Sequence, residues 1–422
     1  MKILMVNKFL YPNGGSETYL FGLGEQLEKM GHKVQYFGME HAGRIVGNSV
    51  QSYTANMDFH TGKLQKFLYP FKIIYSMEAR KKIRLVLEDF KPDVVHLNNI
   101  NFQLTPSILY EIRAFEKERK HPVRIVYTAH DYQWVCPNHM MCIPASGRLC
   151  FDCKGGKFGA CTRNRCIHGS LVKSMLGTME ATFYKLRRTY RMVDSIICPS
   201  EFIKEKLDTD PILRTKTIML HNFVEMPEWA KEENGKADGG AYGKACEAWE
   251  KLQTKLPKRY VLYFGRFSKE KGVGTLLRAC QKLPQVSFVF AGTGPLTDEI
   301  GQAANIRNVG FISGEALYNL ITGAEFSVYP SEWYENCPFS VMESQRYGTP
   351  IIASDMGGIP ELVQDGVSGE LFRAGDLTGL TEKIDKLWRQ PALCRKYRKN
   401  CKNIKFDTIE EYCGKIIRQV YS

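Results

Sequence analysis

The stretch WYENCPFSVMESQRYGTPIIASDMGGIPE, residues 333–361, sets Glu335 and Glu343 eight positions apart across a Cys337-Pro338 step, with a glycine pair after the next apolar run. Ionised carboxylates accept hydrogen bonds from sugar hydroxyls, so two of them at different depths can grip two rings of one ligand. A helix starting near Pro338, where proline is tolerated, would carry Glu343 one to two turns in. Its first amides lack helical partners and can meet an anion. Upstream, Arg266 and Lys271 follow the apolar run Tyr260 to Arg266 and precede a helix beginning near Gly272. Two cations at the carboxyl edge of a parallel sheet would neutralise a diphosphate without a metal. Taken alone, the pair also reads as ordinary surface charge. AGTGPL, residues 291–296, is a second Gly-rich strand end, where Gly292 lets a nucleotide approach the backbone. His130 closes VYTAH at another strand end, a position that is more often structural than catalytic for a histidine taken alone.

A separate cluster holds Cys136, Cys142, Cys150, Cys153, Cys161 and Cys166. The spacing Cys150-x2-Cys153-x7-Cys161-x4-Cys166 is compatible with a structural zinc bound by four thiolates, against free buried thiols or a reversible disulfide. Thirteen cysteines are an odd number, and the Lys2-Ile-Leu-Met-Val-Asn run is too short for a secretory h-region, so most are expected as reduced thiols. No stretch approaches the ~20 apolar residues of a membrane span, and the expected location is the cytosol, with peripheral contact to a membrane surface.

These residues need elements to hold them. The N-terminal KILMVNKFLYPNGGSETYLFGLGEQLEKMGHKVQYFG reads as a strand from Lys2 to Asn7, a Gly14-Gly15 turn, a helix from about Ser16 to Met30 stopped by Gly31, and a strand from Lys33 to Gly38. Further strands are expected at Asp93 to Asn99, Arg124 to His130 and Ser195 to Ser200. After Val224 a polar, Gly-containing stretch marks a linker and insertion. A second series follows at Tyr260 to Arg266, Ser287 to Gly292, Asn308 to Ser313, Phe326 to Ser331 and Pro350 to Ser354, and Leu377 to Val420 reads as helices only. Strands alternating with helices imply parallel sheets covered on both faces.

The expected fold is therefore α/β, with two Rossmann-like open parallel-sheet domains facing across a cleft. A first domain covers 1–222 with a Cys-rich insertion at about 136–168. A linker and insertion fill 223–258, a second domain covers 259–404, and a C-terminal helix at 405–422 packs back towards the first domain. A length of 422 residues suits two such cores. Ligands in such sheets bind at the carboxyl ends of strands, so the site is expected in the cleft.

The chain carries a formal charge of +13, and the segment from Cys150 to Met192 has four lysines and five arginines against Asp152 and Glu180. That patch suits an anionic membrane surface, nucleic acid or a phosphorylated substrate, or is simply a solvated basic face. LQKFLYPFKIIYSMEARKKIRLVLEDF, Leu64 to Phe90, reads as a helical stretch adding aromatic and basic residues.

Taken in order, these motifs resemble the family 4 retaining glycosyltransferases, which have the two-domain GT-B fold. The resemblance runs through Gly14-Gly15, His130, Arg266 and Lys271, AGTGPL, the Glu-x7-Glu pair from Glu335 to Glu343, and SDMGGIPELV after it. It implies transfer of a sugar from a nucleotide-diphosphate donor with the anomeric configuration kept and no cofactor required for catalysis. It further implies that Arg266 and Lys271 bind the diphosphate and that Glu343 holds the ribose hydroxyls. Glu335, with the backbone around Asn336, Cys337, Pro338 and Phe339, would hold the donor sugar. Phe311 and Ile312 would read the base through main-chain groups, His130 would touch the sugar near the reacting carbon, and Gly14-Gly15 would let the N-terminal loop close over the phosphates. The resemblance makes 1–222 the acceptor-side domain and 259–404 the nucleotide-sugar-binding domain; the implied acceptor is a glycan or lipid-linked saccharide, with no nucleic acid as partner. A zinc-stabilised nucleic-acid-binding protein leaves the Glu335–Glu343 pair unexplained. A nucleotide-sugar epimerase differs in needing no acceptor, and a phosphorylase needs a cofactor-bearing lysine that no motif marks.

Overall fold

The computed structural model describes residues 1–55, 73–227, 230, 249, 252–254, 256–301 and 303–422. The chain forms two compact units, one of Met1–His221 with Ile409–Ser422, the other of Asn222–Thr408. Most of the expected insertion at 223–258, and the start of the expected helical stretch at 64–72, lie outside the described residues.

The first unit is built on a six-stranded parallel sheet in the order β2-β1-β3-β4-β7-β8. These strands are β1 Lys2–Val6, β2 Lys33–Phe37, β3 Val94–Leu97, β4 Arg124–Thr128, β7 Ser195–Cys198 and β8 Thr217–Met219. β1 lies between β2 and β3, with Ile3 opposite both Val34 and Val94. Its residues Ile3 to Val6 are buried, as expected of a strand covered by helices on both faces. A helix over Gly15–Lys29 links β1 to β2, within one residue of the expected span. Between β4 and β7, a two-stranded antiparallel hairpin, β5 Cys142–Ile143 with β6 Arg148–Leu149, opens the Cys-rich insertion.

The C-terminal residues complete this unit. His96 on β3 is fully buried and bonds the Tyr421 hydroxyl through Nδ1 and the Thr128 hydroxyl through Nε2, both at 2.7 Å. Tyr19 bonds Thr128 and Tyr412, and Arg124 donates to the Val420 carbonyl. Burial holds His96 down to about 3, so it is neutral and can only donate from one nitrogen and accept at the other.

The second unit repeats the plan with the order β11-β10-β9-β12-β13-β14, again all parallel. Its strands are β9 Val261–Phe264, β10 Phe288–Ala291, β11 Ile306–Gly310, β12 Phe326–Tyr329, β13 Ile351–Ser354 and β14 Gly369–Phe372. The core on one face gathers Val261, Tyr263, Phe267, Phe288, Phe290 and Phe326. The unit starts at Asn222, so the first residues of the expected linker belong to it, and the Val224 amide bonds the Asp407 carbonyl.

One strand reading, Asn308 to Ser313, needs correction, and two strands, β8 and β14, had no expectation. β11 ends at Gly310, which has a φ of 73°, so Phe311 and Ile312 lie beyond the strand. β8 has only three residues and a half-exposed pattern, and offers almost no periodicity. β14 is masked in the sequence by Glu370, a buried carboxylate that Lys383, Lys386 and Tyr397 satisfy at 2.6–2.8 Å. Among the described residues no helix is long and apolar enough to cross a membrane.

Candidate functional site

In an open parallel sheet, the crevice opens where neighbouring strands send their connections to opposite faces. In the second unit that point lies at β9, flanked by β10 and β12. The loops leaving these strands carry Gly265–Arg266, Gly292–Gly294 and Pro330–Glu335, and they are locked together through main chain. A Cβ on Gly292 would sit 2.0 Å from the Gly265 carbonyl oxygen, and one on Gly272 1.8 Å from that of Pro330. Gly292 and Gly272 also have φ of 148° and 69°, a region L side chains avoid. Tyr263 donates to the Arg266 carbonyl at 2.8 Å and fixes the turn.

Arg266 thus has a braced backbone and an exposed side chain, and among the described residues nothing pairs with its guanidinium. Lys271 differs. Its Nζ lies 2.6 Å from Glu335 Oε1 and 3.1 Å from the Tyr329 hydroxyl, with the Tyr329 and Trp333 rings 5.6 and 5.3 Å away. The two expected cations therefore arrive in different states, one free and one neutralised.

Glu335 is 5% exposed, and the same Oε1 also accepts from the Ser331 hydroxyl, the Trp333 indole and the Tyr329 hydroxyl at 2.7–3.2 Å. Its carbonyl accepts the Gly358 amide at 2.8 Å, and a Cβ on Gly357, whose φ is 63°, would lie 2.2 Å from that oxygen. Glu335 is thus an internal counter-ion that aims Lys271, rather than a carboxylate open on all sides. Tyr329, Ser331 and Trp333 were not singled out from the sequence. Their spacing of two, continuing the side-chain alternation of β12 towards Glu335, is the signal that could have found them.

Glu343 stands in the middle of the helix Phe339–Arg346, whose N-cap is Pro338. Its carboxylate has no partner among the described residues, and burial pushes it up to about 7. A partly buried, unpaired carboxylate in a helix is disfavoured unless something is meant to meet it. At the helix start, Pro338 places the Phe339 and Ser340 amides at an open end. Cys337 is committed internally. Its carbonyl accepts from Asn222 Nδ2 at 2.9 Å and its sulfur from the Asn222 amide, leaving a buried thiol pushed up to about 12 by desolvation. Asn336 lies between Glu335 and Cys337 on the same loop. Phe311 is 73% exposed, while Ile312 packs against the group of Tyr260, Leu262 and Leu320.

In the first unit, His130 follows β4. Its Nε2 lies 2.8 Å from Asn98 Oδ1, beyond β3, and the Tyr19 ring meets it edge-on at 5.0 Å. The amide oxygen can only accept, so Nε2 carries the proton. Burial holds the ring down to about 4, so it is neutral. The next residue, Asp131, sits 3.3 Å from His139 Nδ1. Burial works against both charges, but their mutual attraction and hydrogen bond outweigh it, lowering Asp131 and raising His139. Gly14 is the N-cap of the first helix with an extended φ of −175°, and Gly15 is that helix's first residue. Glu17, in the first turn, is buried, bonded by Asn7 and Ser16, and raised by desolvation. Asn98, Asp131, His139 and Glu17 were not reached by sequence reading, because single polar residues beside strand ends have no pattern of their own.

Residues 13–226 match the family model Glycosyltransferase Family 4, and residues 247–404 match Glycosyl transferases group 1. A D-inositol 3-phosphate glycosyltransferase of Mycolicibacterium smegmatis is 34% identical over 149 residues, which are 32% of this chain. The chain spans 34% of that relative's length. An uncharacterised 42.6 kDa protein in the cps region of Klebsiella pneumoniae is 24% identical over 86% of this chain and 87% of its own. Among solved structures, sucrose-phosphate synthase from Thermosynechococcus elongatus superposes over 100% of this chain and 99% of its own, with a TM-score of 0.67 and 18% identity. Anabaena HepE in complex with UDP and glucose does so over 100% and 99%, with a TM-score of 0.67 and 16% identity. Both share the fold of two Rossmann-like domains found here.

Proposed function

The chain belongs to glycosyltransferase family 4, and from that premise we propose that it moves a sugar, with retention and without a metal in catalysis, from a nucleotide-diphosphate sugar to a glycan or lipid-linked saccharide. The donor is UDP- or GDP-linked, and the setting is cell-surface polysaccharide biosynthesis. The single observation that carries the reading is two unsatisfied charges of opposite sign beyond neighbouring strands: an exposed, unpaired Arg266 after β9 and a desolvated, unpaired Glu343 in the helix after β12. A nucleotide-diphosphate sugar satisfies both, its diphosphate meeting Arg266 and its ribose hydroxyls donating to Glu343. The UDP and glucose bound by the HepE relative in fold support a UDP donor, and the relative encoded in a cps region supports the polysaccharide setting.

Each residue then has a task. Arg266 stabilises the charge that grows on the departing diphosphate, and that oxygen takes the acceptor's proton on the same face of the sugar, so no strong enzyme base is needed. Lys271, aimed by Glu335, adds a second cation to the diphosphate. Glu335 and the amides around Asn336, Cys337 and Phe339 hold the donor sugar, while Gly292 gives close backbone approach. The main chain at Phe311 and Ile312 reads the base. Neutral His130, its Nε2 proton held by Asn98, accepts at Nδ1 from a sugar hydroxyl, and the loop at Gly14-Gly15 covers the phosphates. Leu171, Val172, Met175, Met179 and Leu186 are exposed along the helix Leu171–Leu186, beside Lys173, Lys185 and Arg187. That face supports contact with an anionic membrane surface on the cytoplasmic side.

The test is a binding and turnover screen of the purified chain against UDP-, GDP- and ADP-sugars, with Arg266→Ala and Glu343→Ala beside it. One nucleotide sugar should raise the melting temperature by several degrees and release nucleoside diphosphate when an acceptor is present. Both variants should lose these effects. A chain that binds none of the three and releases no diphosphate refutes the reading.

A further inference from the structure

The Cys-rich insertion has no role in the reading above, and it cannot be held together by an ordinary core. Its buried cluster is Cys153, Phe158, Ala160, Cys161 and Cys166, so three of its five members are thiols. Modules below about 40 residues usually need a metal or disulfides to hold one conformation. Six cysteines, Cys136, Cys142, Cys150, Cys153, Cys161 and Cys166, line one small cavity of about 10 Å³, roughly the room of a single atom-sized guest. None of the six forms a disulfide.

We propose that this cavity binds one zinc ion through the thiolates of Cys150, Cys153, Cys161 and Cys166, independently of the chemistry at the switch points. Local turns present these sulfurs in two pairs. Cys150 and Cys153 form a Cys-x2-Cys turn in which the Asp152 amide donates to Cys150 Sγ at 3.4 Å and the Cys161 amide donates to Cys153. Cys161 and Cys166 are hydrogen-bonded to each other, and the Cys166 amide closes a turn on the Cys161 carbonyl at 3.1 Å. Cys136 differs in geometry, since its own S–H donates to Asn138 Oδ1, 2.8 Å away. Cys142 lies on the β5 strand of the hairpin that presents Cys150.

The charge also fits. Four thiolates on Zn²⁺ carry a net charge of −2, and Arg148, Lys154, Lys157, Arg163 and Arg165 surround them in sequence against Asp152 alone. Among the described residues, no group of three or more His, Cys, Asp or Glu side chains is already gathered tightly enough to hold a metal. Binding therefore draws the four sulfurs inwards and releases their four protons to solvent, with no change of oxidation state.

The experiment uses the full chain purified under reducing conditions. Elemental analysis should find about one zinc per chain, and cobalt in its place should give the visible bands of a tetrahedral thiolate site. Cys153→Ser and Cys161→Ser should reduce metal content towards zero, while Cys136→Ser should retain it. Should the serine variants fail to fold, the zinc content and cobalt spectrum of the unaltered chain still decide. The proposal is overturned by a chain that stays metal-free with excess zinc, or by equal metal loss in Cys136→Ser and Cys153→Ser. Thiol titration of the unreduced, unfolded chain that finds cysteines missing in pairs would equally overturn it in favour of disulfides.

Discussion

Replacing Glu343 by Gln should make the second unit more stable and the enzyme worse at holding its nucleotide. The carboxyl moves from an ordinary 4.5 to about 7 by desolvation, with no charged or hydrogen-bonding partner to offset it. Each tenfold change in proton affinity is ~1.4 kcal/mol, so the ionised form costs the folded unit up to about 3 kcal/mol above pH 7, reduced to roughly 1–3 kcal/mol by the side chain's partial solvent contact. Glutamine keeps the shape and drops the charge. For a unit of about 190 residues, 1 kcal/mol corresponds to ~2–4 °C, so the variant should melt roughly 3–10 °C higher at pH 8.

The pH dependence follows from the direction of the shift. Between pH 4.5 and about 7 the folded state holds a proton on Glu343 that the unfolded state has released. This residue therefore adds stability as pH falls through about 7, levels off below 4.5, and contributes a full penalty above 7. The difference in melting temperature between the variant and the parent should shrink as the pH is lowered. Binding runs the other way. Two ribose hydroxyls donating to a carboxylate make charge-assisted hydrogen bonds of about 1.5–3 kcal/mol each, and an amide keeps only one acceptor. The expected loss is on the order of 2–4 kcal/mol, or about 30- to 1000-fold in Kd for the nucleoside diphosphate. The parent's Kd should weaken as pH drops below about 7, because the proton must leave before the hydroxyls can donate. Calorimetry from pH 5.5 to 8.5, in two buffers of different ionisation enthalpy, reads both the affinity and the proton released. A variant that binds as tightly as the parent, or a parent Kd flat across that range, refutes the assignment of Glu343.

Arg266→Ala should leave stability within about 0.5 kcal/mol, since the guanidinium is exposed and unpaired, yet lower kcat by ~100-fold through lost stabilisation of the leaving diphosphate. Lys271→Ala should do the reverse first, destabilising the unit by about 3 kcal/mol because Glu335 stays buried without its cation; urea unfolding separates the two variants. Gly357→Ala should cost more than about 2 kcal/mol and weaken donor binding, because its Cβ would overlap the Glu335 carbonyl and its φ is left-handed; melting and calorimetry on one preparation check both.

The parts legible in the sequence are those with a period or a punctuation mark. VLYF at β9, FVFA at β10 and IIAS at β13 are uniform apolar runs ended by glycine or a polar turn, and each lies inside its expected span. The helix starts at Gly272 and Pro338 were marked by the residues that cap them. β14 was not legible, because Glu370 looks like a surface residue until Lys383, Lys386 and Tyr397, which come from later helices, are folded onto it. The site divides along the same line. The positions of Arg266, Lys271 and Glu335 in loops beyond strands, and of Glu343 in the helix after β12, could be read from order and spacing. The state of each could not, because pairing Lys271 with Glu335 depends on two loops 64 residues apart in the chain.

That difference of state bears on how the second unit would bind its ligand. The loops around β9 are fixed by main chain packed on main chain: Gly265 against Gly292, Gly272 against Pro330, Gly294 against Phe267, and Gly357 against Glu335. Such contacts leave no room for a Cβ and little for movement, so ligand binding need not order the backbone there. What remains unsatisfied is chiefly the Arg266 cation, the Glu343 carboxylate and the first amides of the helix Phe339–Arg346. Lys271 starts out neutralised, and its charge reaches a diphosphate only in competition with Glu335, whose oxygen keeps three other donors if the lysine turns away. An anion arriving at this site should therefore engage Arg266 before Lys271. On that ordering, Lys271→Ala affects diphosphate affinity less than Arg266→Ala, although it affects folding more. The two variants should thus rank in opposite order for Kd and for unfolding free energy, and an identical ranking would mean that Lys271, not Arg266, is the primary diphosphate ligand.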